Sequence, residues 1–227
     1  MKHITDIFFD LDHTLWDFEK NSALAFEKVL KNNEIKVDLE VFLEYYVPLN
    51  LKYWELYRHD KITQHQLRYG RLKDTFDILN HEISDVLIDL LSKEYIQYLP
   101  EFNYLFDGTV EILDYLNGKY NLHIITNGFQ EVQAGKMMNS GIDKYFKTIT
   151  NSEMAGVKKP NPRIFEFALL KANVQKQNSI MIGDCLDADV NGALNFGMDA
   201  IHFNENNKEI PNHIKQVNHL IELKNHL

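Results

Sequence analysis

The sequence contains a single cysteine, Cys185, among 227 residues. No intrachain disulfide can form, and such cysteine usage is typical of a reducing compartment. No apolar run approaches the roughly 20 residues that cross a bilayer. The apolar run near the N-terminus is interrupted by Asp10 and is too short for a signal peptide. We therefore expect a soluble, cytoplasmic protein.

Basic residues are comparatively few, since 24 lysines and arginines stand against 33 aspartates and glutamates, which gives a formal net charge of -9. An acidic surface repels polyanions, so the composition argues against nucleic-acid binding and against an anionic membrane surface. It leaves room for a small phosphorylated substrate held by a few local donors. The five prolines do not cluster into a linker, and the sequence leaves the oligomeric state open.

Short apolar runs alternate with helical patterns from about residue 105 to the C-terminus. The runs read as strands, namely "NLHIIT", "FKTIT", "SIMIGD" and "DAIHF", and the segments between them as helices, namely "FQEVQAGKMMNSG", "NPRIFEFALLKANV" and "DADVNGALNFG". This alternation predicts right-handed βαβ units around a parallel sheet. The N-terminal segment "TDIFFD" is expected to join the same sheet as its first strand. The predicted fold class is therefore α/β.

The intervening part of the chain is helical in pattern almost throughout, with apolar residues at three- and four-residue spacing. We predict a core formed by residues 1–15 and 105–227, with a helical insertion at residues 16–104. In open α/β sheets, ligands bind beyond the carboxyl ends of the strands. An insertion that leaves the first strand at this edge would lie above such a site.

Polar residues collect at the predicted strand ends, and parallel strands bring those ends to one edge of the sheet. They are Asp10 and Asp12, then Thr126 and Asn127, then Asp184, Asp187 and Asp189, with Lys158 and Lys159 from the loop "GVKKPNP". Carboxylates and a substrate phosphate suit Mg²⁺, which rarely takes a full protein cage. A lysine adds a compact positive charge for phosphoryl oxygens.

Four short motifs in this order resemble those of the haloacid dehalogenase (HAD) superfamily, whose members are mostly Mg²⁺-dependent phosphatases. They are "DLDHTL" for DxDxT, "IITNG" for the second motif, "KKPNPRIF" for the motif lysine before proline, and "IGDCLDAD" for GDxxxxD. The resemblance covers the whole chain. It implies a Rossmann-like core, a parallel sheet flanked by helices, and an inserted α-helical C1 cap domain.

The resemblance also implies roles for individual residues. Asp10 aligns with the nucleophile that forms an aspartyl-phosphate, and Asp12 with the general acid and base. Thr126 and Asn127 align with residues that hold the phosphoryl group. Lys159, which directly precedes proline, aligns with the lysine that offsets charge on nucleophile and phosphate.

The same resemblance implies a Mg²⁺ site. Asp184 and Asp10 are expected to ligate the ion, together with the main-chain carbonyl of Asp12. Asp189 aligns with the second acid of the fourth motif and would act directly or through water. For Asp187 we favour a loop-capping role.

Within the superfamily, "DLDHTLWDFEKN" looks most like the pyrimidine-nucleotide 5′-nucleotidases. Trp16 and Phe18 would then either stack on a base or pack between cap and core. Arg68 and Arg71 are expected at the surface, with Arg71 the candidate substrate contact. His13 is interpreted as a tolerated variant at a turn position where many relatives have glycine, and Cys185 as a small loop residue.

Other functions stay open at this point. Sugar phosphates, another small phosphometabolite or a phosphoglucomutase-like reaction share the same motifs. Carbon–halogen cleavage is disfavoured because, in that branch, the acid two residues after the nucleophile is missing. A phospho-acceptor domain is disfavoured by Asp12 and by the long insertion. A catalytically idle binding scaffold is the remaining alternative from a different class.

Overall fold

The structure is a computed structural model that describes residues 3–227 of the chain. Within them, one parallel sheet has the strand order β3-β2-β1-β4-β5-β6. The strands are β1 (Asp6–Phe9), β2 (Asn121–Thr126), β3 (Phe146–Asn151), β4 (Ser179–Gly183), β5 (Asp199–Phe203) and β6 (Gln216–Val217). The five predicted strands are confirmed. The sheet also contains β6, which was not predicted because it has only two residues.

Strand β1 lies at the centre of the sheet, between β2 and β4. Phe9, its last residue, pairs with Ile124 on one side and with Ile182 on the other. All four residues of β1 are buried, as expected for a strand covered on both faces. The strand order changes direction at β1, and ligands of doubly wound sheets bind at such a point, beyond the carboxyl ends of the strands.

The chain divides into two compact units. One runs to Phe18 and resumes at Asn103, and the other comprises residues Glu19–Phe102. The insertion contains the helices α1 (Phe18–Asn32), α2 (Leu39–Arg58), α3 (Gln64–Ile78) and α4 (Asp85–Tyr98). Its core is aromatic, since the ring of Phe26 stacks on Tyr95 at 4.2 Å between centroids and meets Tyr46 edge-on at 4.4 Å.

The helices beside the sheet are α5 (Thr109–Leu116), α6 (Gln130–Asn139), α7 (Ser152–Ala155), α8 (Pro162–Ala172) and α9 (Gly192–Phe196). Helix α8 begins as its sequence predicts, because Asn161 accepts a hydrogen bond from the N–H of Arg163 and Pro162 occupies the first turn. A π-helical turn, Leu186–Asn191, precedes α9. Among the described residues, no helix has both the length and the apolar character of a membrane span.

Candidate active site

Asp10 and Lys159 form the centre of the site. Asp10 directly follows β1, and its Oδ1 lies 2.6 Å from the Nζ of Lys159. The same Nζ lies 2.7 Å from Oδ1 of Asp189 and donates a hydrogen bond to the carbonyl of Ile125. Lys159 is 1% exposed and contacts Asp10, whereas Lys158 is half-buried.

Three carboxylates meet at this point. Asp10, Asp184 and Asp189 each place one oxygen within 4.8 Å of the others. Burial raises the pKa of Asp10 well above its usual range; Lys159 opposes this, and the two neighbouring aspartates reinforce it. Burial, with the charge of Asp189, raises the pKa of Asp184 to about 7. Burial lowers the pKa of Lys159, but Asp10 and Asp189 outweigh it and hold that pKa above its ordinary value.

This electrostatic balance fits a divalent cation. When all three carboxylates are ionised, one ammonium faces them, which leaves two negative charges uncompensated in a largely buried place. Oxygen ligands at such spacing suit a hard cation. Asp10, Asp184 and Asp189 can therefore hold a metal ion.

Asp184 is held in place by Thr14, which is the threonine of the motif DxDxT, and by His202, which lies outside the four motifs. The hydroxyl of Thr14 donates to Oδ1 of Asp184 at 3.3 Å and accepts the N–H of Asp184 at 3.1 Å. Nε2 of His202, on β5, lies 2.7 Å from the carbonyl oxygen of Asp184. Because a carbonyl only accepts, that nitrogen must carry the proton. Thr14 and His202 thus fix both the side chain and the main chain of Asp184.

Asp189 is placed by the π-helical turn and by a glycine. Its Oδ2 accepts the N–H of Cys185 at 3.0 Å. A Cβ on Gly183 would lie 2.3 Å from the same oxygen, so this close approach requires glycine. Cys185 accepts the N–H of Ala188 through Sγ, which agrees with its interpretation as a small loop residue. Asp187 is exposed and lies outside the carboxylate group.

Thr126 is the last residue of β2, and Asn127 follows it at the same edge of the sheet. Thr126 is 1% exposed, and its hydroxyl accepts the N–H of Gly128 at 3.0 Å. The side chain of Asn127 contacts Lys159 instead of facing a free space for phosphate, because its Oδ1 accepts the Lys159 N–H and its Nδ2 donates to the Lys159 carbonyl. If Asn127 contacts a phosphate, we expect its main-chain N–H to make the contact. The phosphate-binding role of Asn127 stays a prediction.

Asp12 lies in different surroundings from Asp10. Its Oδ1 is 2.6 Å from the Nζ of Lys136, and its Oδ2 accepts from Nε2 of Gln133 at 3.2 Å. The side chain of Asp12 is thus bound to α6 and is not among the three clustered carboxylates. Neither Gln133 nor Lys136 was predicted from the sequence as a site residue. The feature of the sequence that could have indicated them is their spacing on α6, because Gln133 and Lys136 lie on the same buried helix face as Val132 and Met137.

Trp16 and Phe18 surround the same lysine. The Nζ of Lys136 lies 4.3 Å from the ring centroid of Trp16 and 5.4 Å from that of Phe18. Trp16 is 0% exposed and Phe18 6%, so Trp16 has no open face on which a base could stack. The structure therefore favours packing for Trp16. Base stacking by Phe18 stays a prediction. His13, which was interpreted as a turn residue, has a left-handed backbone conformation with φ 65°.

The expected surface position of Arg71 is wrong. Arg71 is 2% exposed within the helical unit, donates to Oδ1 of Asn50 at 2.8 Å and lies over the rings of Tyr46 and Tyr95. Aromatic faces and one amide offset the cost of burying the guanidinium. Arg68 is half-buried. A substrate contact by Arg71 stays a prediction.

The chain is similar to known proteins over most of its length. The model of a family described as haloacid dehalogenase-like hydrolase matches residues 7–203. The chain is 32% identical over 205 residues to pyrimidine 5′-nucleotidase PynA of Streptococcus pneumoniae, covering 89% of this chain and 85% of that protein. It is 31% identical to pyrimidine 5′-nucleotidase YjjG of Escherichia coli, covering 90% and 88% of the two chains.

A solved structure shows the same similarity in three dimensions. The HAD-hydrolase YfnB of Bacillus subtilis, bound to magnesium, superimposes with a TM-score of 0.89 at 26% identity, over 99% of each chain. The similarity thus extends over nearly the whole of both chains.

Proposed function

The chain belongs to the haloacid dehalogenase-like hydrolase family, and we propose that it is a Mg²⁺-dependent phosphomonoesterase that acts on pyrimidine nucleoside 5′-monophosphates. The observation that carries the proposal is the separation of two neighbouring aspartates into different surroundings. Asp10 contacts Lys159 in the carboxylate cluster, while Asp12 is bound by Lys136 and Gln133. Two carboxylates in distinct surroundings can take distinct chemical roles.

The first half-reaction forms an acyl phosphate. An oxygen of Asp10 attacks phosphorus, the bond from phosphorus to the ester oxygen breaks, and Asp12 gives its proton to the departing alcohol. Lys159, held between Asp10 and Asp189, offsets the negative charge brought by the phosphoryl group. Positioning and charge neutralisation are the main demands of phosphoryl transfer, and both are met by these fixed groups.

The second half-reaction releases phosphate. Asp12, now ionised, takes a proton from water, whose oxygen attacks phosphorus. The bond from phosphorus to Asp10 breaks, so that inorganic phosphate leaves and the Asp10 carboxylate is restored. Asp12 thereby regains the proton that it lost in the first half-reaction, and the cycle closes without another reactant.

Asp10, Asp184 and Asp189 would hold Mg²⁺, with the main-chain carbonyl of Asp12 as the further ligand implied by the family resemblance. When bound, the ion supplies positive charge that stabilises the transferring phosphoryl group. Thr14 and His202 support this site from outside by fixing Asp184.

The substrate class rests on similarity and not on the cap. Pyrimidine 5′-nucleotidases of two bacteria are 31% and 32% identical over most of both chains. The acidic composition is compatible with a small monoanionic or dianionic substrate bound by a few local donors and disfavours a polynucleotide.

The test is phosphate release from a panel of pyrimidine and purine monophosphates, sugar phosphates and p-nitrophenyl phosphate, with and without Mg²⁺. We expect Mg²⁺-dependent turnover with the highest kcat/KM for pyrimidine monophosphates. Asp10→Asn should abolish turnover, whereas Asp187→Asn, the same change at an exposed aspartate near Asp184, should not.

Each part of the proposal can fail separately. Sugar phosphates hydrolysed as well as pyrimidine monophosphates would overturn the substrate class and leave the phosphatase chemistry. A wild type that releases no phosphate from any ester would favour the binding scaffold. Turnover retained in Asp10→Asn would remove the aspartyl-phosphate intermediate.

A further inference from the structure

Two side chains of helix α6 bind the two oxygens of one carboxyl group. Lys136 and Gln133 lie one helical turn apart, and they donate to Oδ1 and Oδ2 of Asp12 at 2.6 Å and 3.2 Å. One donor would fix the distance of the carboxyl group but leave it free to rotate. Two donors on different oxygens also fix the plane of the group. The contact is therefore suited to orientation as well as to charge pairing.

Lys136 is buried, and a contribution to the stability of the fold does not explain why a lysine occupies this position. Lys136 is 1% exposed, and its neighbours Val132 and Met137 on the same helix face are apolar. A buried ion pair is often no more stabilising than apolar side chains of similar volume. The faces of Trp16 and Phe18 surround the ammonium and reduce its freedom to move away from Asp12.

Gly128 leaves room for the contact between Gln133 and Asp12. A Cβ on Gly128 would lie 1.6 Å from Nε2 of Gln133 and 3.1 Å from Oδ2 of Asp12. Any larger residue at this position would push the Gln133 amide away from Asp12. The turn that follows Thr126 at the end of β2 is therefore shaped to admit the Gln133 amide.

We propose that Lys136, assisted by Gln133, is a positioning residue for Asp12. It holds the carboxyl group in the orientation from which Asp12 protonates the leaving oxygen and later accepts the proton of water. The proposal rests on the proposed function, because it needs Asp12 to be the group that transfers these protons. It adds two residues to the catalytic machinery that lie outside the four sequence motifs.

The test compares leaving groups. An alkyl alcohol leaves only if its oxygen is protonated, whereas p-nitrophenolate is a stable anion that leaves without a proton. Misplacement of a reacting group by about 1 Å can cost about a hundredfold in rate. We expect Lys136→Met to lower kcat/KM by about a hundredfold for the best alkyl phosphate of the panel, and by less than about threefold for p-nitrophenyl phosphate.

The second half-reaction gives an independent readout. If Asp12 is misoriented, water attack on the acyl phosphate slows and the intermediate accumulates. Lys136→Met should then show a rapid burst of p-nitrophenolate followed by slow turnover, with the burst equal to the enzyme concentration. Lys136→Arg, which keeps a cationic donor, should restore most of the alkyl phosphate activity.

Two further variants separate positioning from folding. Gln133→Met keeps the volume, removes the weaker donor and should give the same leaving-group pattern at about tenfold instead of a hundredfold. Lys119→Met removes an exposed lysine that lies over the ring of Tyr115 and should match the wild type. In an Asp12→Asn background, Lys136→Met should have no further effect, because coupled residues are not additive.

The outcomes distinguish this inference from the proposed function. An active wild type in which Lys136→Met lowers kcat/KM equally for alkyl and nitrophenyl esters, or in which its effect adds to that of Asp12→Asn, would overturn the positioning role alone. A wild type inactive on every ester would overturn the proposed function and the positioning role together.

Discussion

Asn127 and Lys159 are joined by two hydrogen bonds of opposite direction. Oδ1 of Asn127 accepts the Lys159 N–H at 2.8 Å, and Nδ2 donates to the Lys159 carbonyl at 3.0 Å. The residue after β2 therefore determines where the main chain of the third motif lies, and with it the Nζ that contacts Asp10.

Asn127→Ala should move Lys159 without removing its charge. Loss of both bonds leaves a buried N–H without its partner, and we expect unfolding free energy to fall by about 1–3 kcal/mol. We also expect kcat/KM to fall by at least about tenfold, because Lys159 is displaced from Asp10. Chemical denaturation and steady-state kinetics measure the two effects. Asn178→Ala, at the amino end of β4, is the control for an asparagine that bonds main chain far from the site; equal activity losses in both variants would contradict the argument.

Asp12→Asn should separate binding from chemistry. The amide cannot transfer the proton but can keep a similar shape, so KM should change little while kcat falls by about a hundredfold to ten-thousandfold. Initial-rate kinetics on the best alkyl phosphate measure this. Unchanged turnover would remove Asp12 from the proton transfers and leave its contact with Lys136 without a catalytic meaning.

Thr14→Val should weaken the metal site. Valine has nearly the shape of threonine, but it loses the two hydrogen bonds to Asp184. Loss of an outer hydrogen bond to a metal ligand typically costs about tenfold to a hundredfold in metal affinity. We expect the Mg²⁺ concentration for half-maximal activity, and the Mg²⁺ dissociation constant from calorimetry, to rise by about tenfold, while substrate KM at saturating Mg²⁺ stays unchanged.

Thr150→Val is the matched control for this change. Thr150 is also buried, and among the described residues its hydroxyl has no hydrogen-bond partner. Its replacement should leave Mg²⁺ affinity unaltered and stability equal or higher. A shift of the Mg²⁺ constant in both variants would show that buried threonines act through general stability and not through Asp184.

His123 should make stability depend on pH. It is buried, with Nε2 3.1 Å from Asp6 and Nδ1 2.8 Å from Thr148. Burial lowers the pKa of His123, Asp6 opposes the shift only in part, and Lys147 adds to it. Below the ordinary value of about 6.5, the unfolded chain therefore binds a proton that the folded chain does not.

The stability contributed by neutral His123 is present above pH about 6.5 and is lost as pH falls toward the folded-state pKa, with a slope of at most about 1.4 kcal/mol per pH unit. Denaturant unfolding at several pH values measures the slope, which His123→Gln should reduce. His65→Gln changes an exposed histidine, 75% exposed at its side chain, and should keep the wild-type slope. A slope unchanged in His123→Gln would place the pH dependence elsewhere.

The sheet could be read from the sequence because buried parallel strands are continuous apolar runs, as in "IFF" of β1 and "IMI" of β4. Because the carboxyl ends of parallel strands meet at one edge of the sheet, Asp10, Thr126 and Asp184 could be predicted to lie close together before any interatomic distance was known. Strand β6 was not predicted because its two residues, Gln216 and Val217, are too few to show the apolar pattern of a strand.

The partners of the motif residues could not be read in the same way. Lys136 lies 124 residues from Asp12 along the chain, and His202 contacts a main-chain carbonyl, which no side-chain pattern reports. Arg71 was expected outside because burial of a guanidinium is costly; the aromatic faces of Tyr46 and Tyr95 that reduce this cost come from other helices.

The central position of β1 has a consequence for the newly made chain. The strand that carries Asp10 is synthesised first, but Thr14 meets Asp184 only 170 residues later, and His202 follows after that. A chain still on the ribosome thus cannot complete the carboxylate group until β4 and Asp189 have emerged, and His202 cannot fix the Asp184 carbonyl until β5 has followed. Since such distant pairings form late and slowly, phosphatase activity should appear together with the folded core, and a chain interrupted before β5 should be inert.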